Sequence, residues 1–283
     1  KLFSQEKFGD DQSFTKNKSR IVALGNQRKE KPTSNTETFS PTFALPSFMV
    51  TLNVILQRKL EWEVIDVENA YLSAELPSDL TQYMILKGTT AKLMVKIDLA
   101  AQEFIRPDGT MIVKVSKALY GLQESARLWN KKISQDLIAL GFCQNNYDRS
   151  LFYRRDGDSL SIILCYVDDL LAAGPPEVLA EVRETLRSKY TLKVKSNPKD
   201  FTYVGTRVVY DDKYKSFLLS QPKFIEKIIS KVEGTSDMPH SVNLFDDASP
   251  VPFHDPTWYR STVMELAYLS RTRFDIKPTL SYL

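Results

Sequence analysis

The chain has 283 residues, 42% of them hydrophobic, and a formal net charge of +3. That is enough apolar material for one or two domains with sizeable cores, and it excludes a disordered, collagen-like or low-complexity chain. Two Cys and two His leave little room for zinc sites built on those residues or for a Ser-His-Asp triad.

The stretch 1–31 is polar apart from a strand-like run, Ile21 to Leu24, and KPTSNTETFSPT (Lys31 to Thr42) reads as a loop. Pro46 opens a helix with apolar residues at helical spacing, Phe48, Met49, Leu52, Ile55 and Leu56. EWEVIDVENAYL, Glu61 to Leu72, starts as an alternating strand with Trp62, Val64 and Asp66 on one face, and Pro77 closes it. Short strands are expected over Tyr83 to Leu86 and Met111 to Val115, with a Pro-Asp-Gly turn at 107–109 between them. A helix over Leu128 to Leu140 is ended by Gly141. Leu151 to Arg154 and Leu160 to Ala173 are strand-like, and a helix runs from Pro176 to about Tyr190. Phe201 to Tyr210 and Ser216 to Leu219 read as a hairpin around Asp211-Asp212; helices follow over Lys223 to Val232 and Tyr259 to Arg271. Irregular alternation of helices and strands, with several hairpins, predicts an α+β fold. Walker-type and dinucleotide-type glycine loops are absent from the sequence.

No apolar stretch reaches membrane-spanning length, and the first residues do not read as a signal peptide. Lacking an initial Met and stopping within LSYL, the chain is expected to be a piece of a longer polyprotein. Cys165 sits inside an apolar run and reads as a small core residue, which fits a reducing compartment. Charge is uneven: Arg183 to Lys231 carries 12 Lys and Arg against 5 Asp and Glu, net +7, and Val232 onwards 4 against 7, net −3. Such a basic run is either a solvated face or a surface for polyanions.

IILCYVDDLLA, residues 162–172, places two adjacent aspartates between apolar runs. Asp168 and Asp169 read either as a polar turn or as part of a site. A second acidic strand, Val64 to Val67, lies about a hundred residues upstream. If the two pair, Asp66, Asp168 and Asp169 meet at one sheet edge. Divalent cations would offset their repulsion, and oxygen ligands without His or Cys favour Mg2+ or Mn2+. Two such ions make a phosphoryl-transfer site.

Nine motifs in order carry a family resemblance: KSRIVALGN (Lys18 to Asn26), ETFSPT, IDVENAYL (Ile65 to Leu72), KALYGLQESARLW (Lys117 to Trp129), DRSLF (Asp148 to Phe152), CYVDDLL, YVGTRV (Tyr203 to Val208), LSQPKFIEKII and YLSRTRFDI. Together they resemble the reverse transcriptases of copia-type LTR retrotransposons along nearly the whole chain. The resemblance implies RNA-directed DNA polymerase activity, a nucleotidyltransferase adding dNTPs to a primer 3′-OH on an RNA or DNA template. It implies a right-hand fold, whose palm carries an antiparallel ferredoxin-like sheet. Fingers would span 1–58 and 74–124. The palm would span 59–73, with the first catalytic Asp, and 125–216, with the YVDD hairpin and primer grip. Thumb and the start of a connection would span 217–283.

By the same resemblance, Asp66, Asp168 and Asp169 are the catalytic carboxylates. With the main-chain carbonyl of Val67 they hold two Mg2+, for which Mn2+ can substitute. Tyr71 falls at the steric gate that selects dNTPs over rNTPs, or is a core aromatic. Lys18 and Arg20 fall where the fingers meet the triphosphate. Tyr166 would touch the primer end. Gly121, Gln123 and Arg127 belong to the segment facing the template, or to a loop-to-helix junction capped by Ser125. Tyr203 and Gly205 belong to the primer grip, with Gly205 at its turn. Lys193 lies near a motif with a proton-donating lysine, or is a solvated surface residue. The basic run would meet the phosphates of the template–primer duplex, independently of base sequence.

Partners are therefore the RNA and DNA duplex, dNTPs and other parts of a pol polyprotein. RNase H, protease and integrase motifs are not found, no membrane is expected, and the setting would be cytoplasmic particles with later nuclear entry. Four departures stand out: Ser125-Ala126 for Ser-Pro, Ser73-Ala74-Glu75-Leu76 after the gate, LKVKSNP at 192–198, and Arg273-Phe274-Asp275 for Arg-Pro-Asp. None touches the carboxylates. They keep a rival open, a catalytically silent relic that only binds nucleic acid or a protein.

Overall fold

The computed structural model describes residues 1–8, 13–25, 38–232, 234 and 255–281. In chain order, β1 (Leu2–Phe8) pairs antiparallel with β2 (Phe14–Ile21). Next come α1 (Leu45–Arg58) and β3 (Glu61–Val67), then a 3-10 turn over Ala70–Ser73. β4 (Gln82–Leu86) is followed by α2 (Thr89–Ile97) and pairs antiparallel with β5 (Met111–Val115). α3 (Ser125–Ala139), β6 (Cys143–Gln144), β7 (Leu151–Asp156), β8 (Ser159–Tyr166), β9 (Asp169–Gly174), α4 (Pro176–Arg187) and β10 (Leu192–Ser196) follow. The chain continues with β11 (Asp200–Tyr203), β12 (Thr206–Asp211), β13 (Ser216–Ser220), α5 (Pro222–Ile229), α6 (Pro256–Leu269) and α7 (Lys277–Leu280). Two compact units emerge: Lys1–Ser47 with Glu61–Lys195, and Phe48–Leu60 with Ser196–Leu283.

The first unit is built on a six-stranded sheet of order β10-β3-β9-β8-β7-β6. The order β10-β3-β9-β8, with α3 and α4 as the two helices, is the ferredoxin-like βαββαβ arrangement, extended past β8 by β7 and β6. The expected α+β class and antiparallel palm-type sheet are thus present. Both helices pack on one face: Trp129, Ile133 and Leu137 of α3 and Val178, Val182 and Leu186 of α4 share a core with Ile65, Val67, Phe152, Ile163, Cys165, Leu170 and Ala172. The opposite face, with Leu164, Leu171 and Ala173, is buried too. Coverage on both faces is why this hairpin reads as continuous apolar runs rather than alternation. Cys165 lies in that interior, whereas Cys143 is exposed.

In the second unit β11, β12 and β13 form an antiparallel sheet. Phe48 packs on Tyr203 at 5.6 Å between ring centroids. The Tyr268 hydroxyl of α6 donates to the Val204 carbonyl at 3.0 Å. Lys227 and Lys231 converge on Glu265, tying α5 to α6.

Several expectations change. The polar start is a strand pair, and Val22 to Leu24 lie beyond its end. The strand predicted over 61–72 stops at Val67, where the chain turns into the 3-10 segment. α2 lies where only a turn was expected between β4 and β5, its apolar face packed on Leu86 and Met111 in a small core of its own. The single strand predicted over 201–210 is broken by positive φ at Val204 (47°) and Gly205 (74°), which places Gly205 in a turn. Gly141, φ 81°, ends α3 as predicted. Ser125 is not the cap of α3 but its first helical residue. Its hydroxyl donates to the Leu119 carbonyl at 2.6 Å.

Candidate active site

β3 and β9 run antiparallel with Asp66 directly opposite Asp169. β8 and β9 are joined by a tight turn, with Tyr166 opposite Asp169. Asp168 sits in that turn, and its carbonyl accepts the Val67 N–H at 2.8 Å. Three carboxylates from two distant stretches of sequence therefore gather at one end of the sheet, Asp66 and Asp169 by strand register and Asp168 by the adjoining turn. The turn also holds Val167 at φ 55°, a conformation a β-branched residue rarely adopts. The Val167 carbonyl accepts the indole N–H of Trp129 at 2.6 Å.

Electrostatics register the crowding. Burial, then the negative charges of Asp168 and Asp66, push the Asp169 carboxyl up to about 6. Asp168 is raised for the same reasons, burial first, with Lys18 and Arg20 opposing. Lys16, Lys18 and Arg20 alternate along β2 and so share a face. Lys16 and Lys18 also act on Glu68, which chiefly Lys193 holds below the usual carboxylate range through a direct hydrogen bond. Arg20 lies over the Tyr120 ring at 5.1 Å, and Tyr120 packs edge-on against Tyr71 at 4.8 Å. Burial, then Asp168, pushes the Tyr71 hydroxyl up. The half-buried Tyr71 packs against the first unit's core and lies close enough to Asp168 to feel its charge.

Tyr166 packs edge-on against Phe43 at 5.6 Å. Gly121 has φ 87°, and a Cβ there would lie 2.0 Å from the Ala23 carbonyl oxygen. The close approach its missing Cβ permits is to the Ala23 carbonyl of its own chain. Gln123 is exposed. Arg127 is half-buried, and its Nε has no hydrogen-bond partner. Tyr203 corrects its assignment: only 1% exposed, it is a core residue of the second unit, and its ring is not presented to a primer. Gly205 packs against the Tyr268 hydroxyl, 2.6 Å from where a Cβ would stand. Lys193 is exposed at the surface, as one of its readings expected, and is ion-paired with Glu68.

The basic run is also altered. Of its 12 cations, Arg183, Arg187, Lys189, Lys193, Lys199, Arg207, Lys227 and Lys231 are held in ion pairs. Four carboxylates from outside the run, Glu63, Asp136, Glu68 and Glu265, offset part of its net +7.

Sequence reasoning did not single out Trp129, Tyr120, Glu68 or Asp148. Asp148, in DRSLF, accepts from the Ala44 N–H at 2.9 Å and the Ser47 hydroxyl at 2.5 Å, anchoring the start of α1. Their presence inside the collinear motifs was the available signal.

The donor set is all oxygen and suits hard divalent ions. Among the described residues, however, no three His, Cys, Asp or Glu side chains are drawn together as a ready-made ligand cage. Among the same residues no helix is long and apolar enough to cross a membrane.

A site of carboxylates at the turn of a ferredoxin-like sheet is the architecture of template-copying polymerases, and family comparison agrees. The sequence profile described as reverse transcriptase (RNA-dependent DNA polymerase) matches residues 3–245, and the chain belongs to this family. Its similar proteins are Pol polyproteins of copia-type transposons. The retrovirus-related Pol polyprotein from transposon RE1 of Arabidopsis thaliana is 29% identical over 279 residues, 96% of this chain. That from RE2 of the same plant is 29% identical over 98% of the chain, and that from TNT 1-94 of Nicotiana tabacum 25% over 86%. The chain spans 18% of the length of the first two. Among solved structures, telomerase from Candida albicans in complex with a telomeric RNA fragment aligns with a TM-score of 0.37 and 11% identity, over 85% of this chain and 43% of that one. That likeness is too loose to bear on function.

Proposed function

We propose that this domain is an active RNA-directed DNA polymerase, in which the primer 3′-OH attacks the α-phosphate of a dNTP and pyrophosphate leaves. The observation that carries this reading is the strand register: Asp66 faces Asp169 across β3 and β9, with Asp168 in the adjoining turn. These carboxylates and the Val67 carbonyl would hold two Mg2+, which when bound supply Lewis-acid stabilisation of the phosphoryl charge and a more acidic attacking hydroxyl. Asp168 and Asp169, raised in the metal-free protein, have charge that a cation would relieve.

The remaining residues bind and orient. Lys18 and Arg20, whose charges Asp168 senses, meet the triphosphate. Tyr71, braced by Tyr120, excludes the ribose 2′-OH. Tyr166 borders the primer end, and Gln123 and Arg127 the template. On this reading the first unit's sheet is the palm, β1, β2, β4 and β5 belong to the fingers, and α5 and α6 to the thumb. Substrates are dNTPs and an RNA or DNA template–primer, and the setting is a cytoplasmic particle.

The test is primer extension on RNA and DNA templates with Mg2+ or Mn2+. Wild type is expected to extend, and Asp168→Asn to lose at least about a thousandfold in rate. Duplex binding without extension under either metal would leave the relic reading standing. Extension by Asp168→Asn at wild-type rate would misplace the site.

A further inference from the structure

We infer that Trp129 is a positioning residue for the catalytic turn. Its indole N–H holds the Val167 carbonyl, and with it the backbone that aims Asp168 and Asp169 at Asp66. This rests on the polymerase reading above.

The turn between β8 and β9 has positive φ only at its first central residue, as a type II′ turn does, where glycine is the usual occupant. Here it is Val167, φ 55°. Such strain persists only where the surroundings over-determine it. Two hydrogen bonds do so. One, from the Val67 N–H to the Asp168 carbonyl, continues the β3 ladder. The other comes from a side chain, the Trp129 indole, at 2.6 Å.

Trp129 is 1% exposed. Its ring is set from behind by Tyr190, edge-on at 5.3 Å and 81°, and the Tyr190 hydroxyl donates to Asp136 of the same helix α3. A residue that only filled space between α3 and the sheet would need no polar atom. The indole has one donor, and it is spent on the strained carbonyl. A loss of that donor would free the turn to relax toward negative φ. Relaxation would move both aspartates while leaving the β2 cations and Tyr71 as they are.

The experiment is single-nucleotide primer extension by the folded chain, with kcat and the KM for dNTP measured separately. Trp129→Phe keeps the ring and removes the N–H. Its kcat is expected to fall about tenfold, with KM for dNTP within about twofold of wild type. Val167→Gly, which removes the strain, is expected to restore most of that kcat in the Trp129→Phe background. Ile133→Val, a cavity in the same core, is expected to lower Tm and leave kcat alone.

Wild-type kcat in Trp129→Phe, or an equal kcat loss in Ile133→Val, overturns the inference. Should Trp129→Phe not fold, the wild-type 15N spectrum decides. The Trp129 indole proton is expected to exchange far more slowly than that of exposed Trp258; equal exchange means no such hydrogen bond and sinks the inference. A wild type that extends nothing removes the polymerase reading, and this inference with it. An active wild type with an indifferent Trp129→Phe removes the inference alone.

Discussion

Asp169 is an acid that folding disfavours in its charged form. Its carboxyl is raised from 3.8 to about 6. Between those pH values the folded chain binds more protons than the unfolded one. Stability of the metal-free protein should therefore fall as pH rises through that window, with the full cost present above it. Asp169→Asn removes the cost. It is expected to stabilise the metal-free chain at pH 8 by on the order of 1 kcal/mol, after discounting for solvent screening, and to abolish extension. Urea unfolding of the pair at pH 4.5 and pH 8 checks the sign: the gap must widen with pH. The identity of the acids was legible in the sequence, since Asp66, Asp168 and Asp169 lie in family motifs between apolar runs. The positive φ of Val167 and the donor that holds it were not. Valine has no local preference for that conformation, and the contact comes from α3.

At the scale of elements, glycine shows that a family motif can have a structural partner within its own chain. Gly121 lies in a segment expected to face the template, yet its open side is filled by the Ala23 carbonyl. Reciprocally, a Cβ on Gly25 would lie 2.4 Å from the Gly121 carbonyl oxygen. Two glycines thus let the segment after β2 cross the loop before α3, with the Ala23 N–H donating to the Tyr120 carbonyl at 2.8 Å. Gly121→Ala introduces both a clash and an unfavourable φ. It should cost roughly 2–4 kcal/mol, seen as a lower Tm whether or not nucleic acid is bound. An unchanged Tm with weakened duplex binding would return Gly121 to the template. Sequence periodicity found α1, α3 and α4, which bury one face each. It missed β1 and β2, because both faces of that pair are largely polar, and α2, whose apolar residues serve a small separate core.

For the whole molecule, fold class and the meeting of Asp66 with Asp168 and Asp169 were readable, while strand order was not. The β10-β3-β9-β8 order joins residues over a hundred positions apart, and local pattern carries no such information. The same holds for charge: the excess of cations over 183–231 looked like a surface for polyanions, but carboxylates from outside the run, such as Glu63, Asp136 and Glu68, offset part of it.

The two thiols offer a clock. Complete burial raises the Cys165 thiol far above the ordinary thiol range, so it is inert to alkylation until β8 leaves the sheet. Cys143 is exposed and should react at once. Alkylation of the native chain is expected in two phases, one adduct immediately and a second only as fast as the strand carrying Tyr166 opens. Because Asp168 and Asp169 follow directly after this strand, the slow phase times the disassembly of the hairpin that carries them. Mg2+ should lengthen it if the ion is held there. Two adducts at equal speed would mean that the centre of the sheet breathes freely.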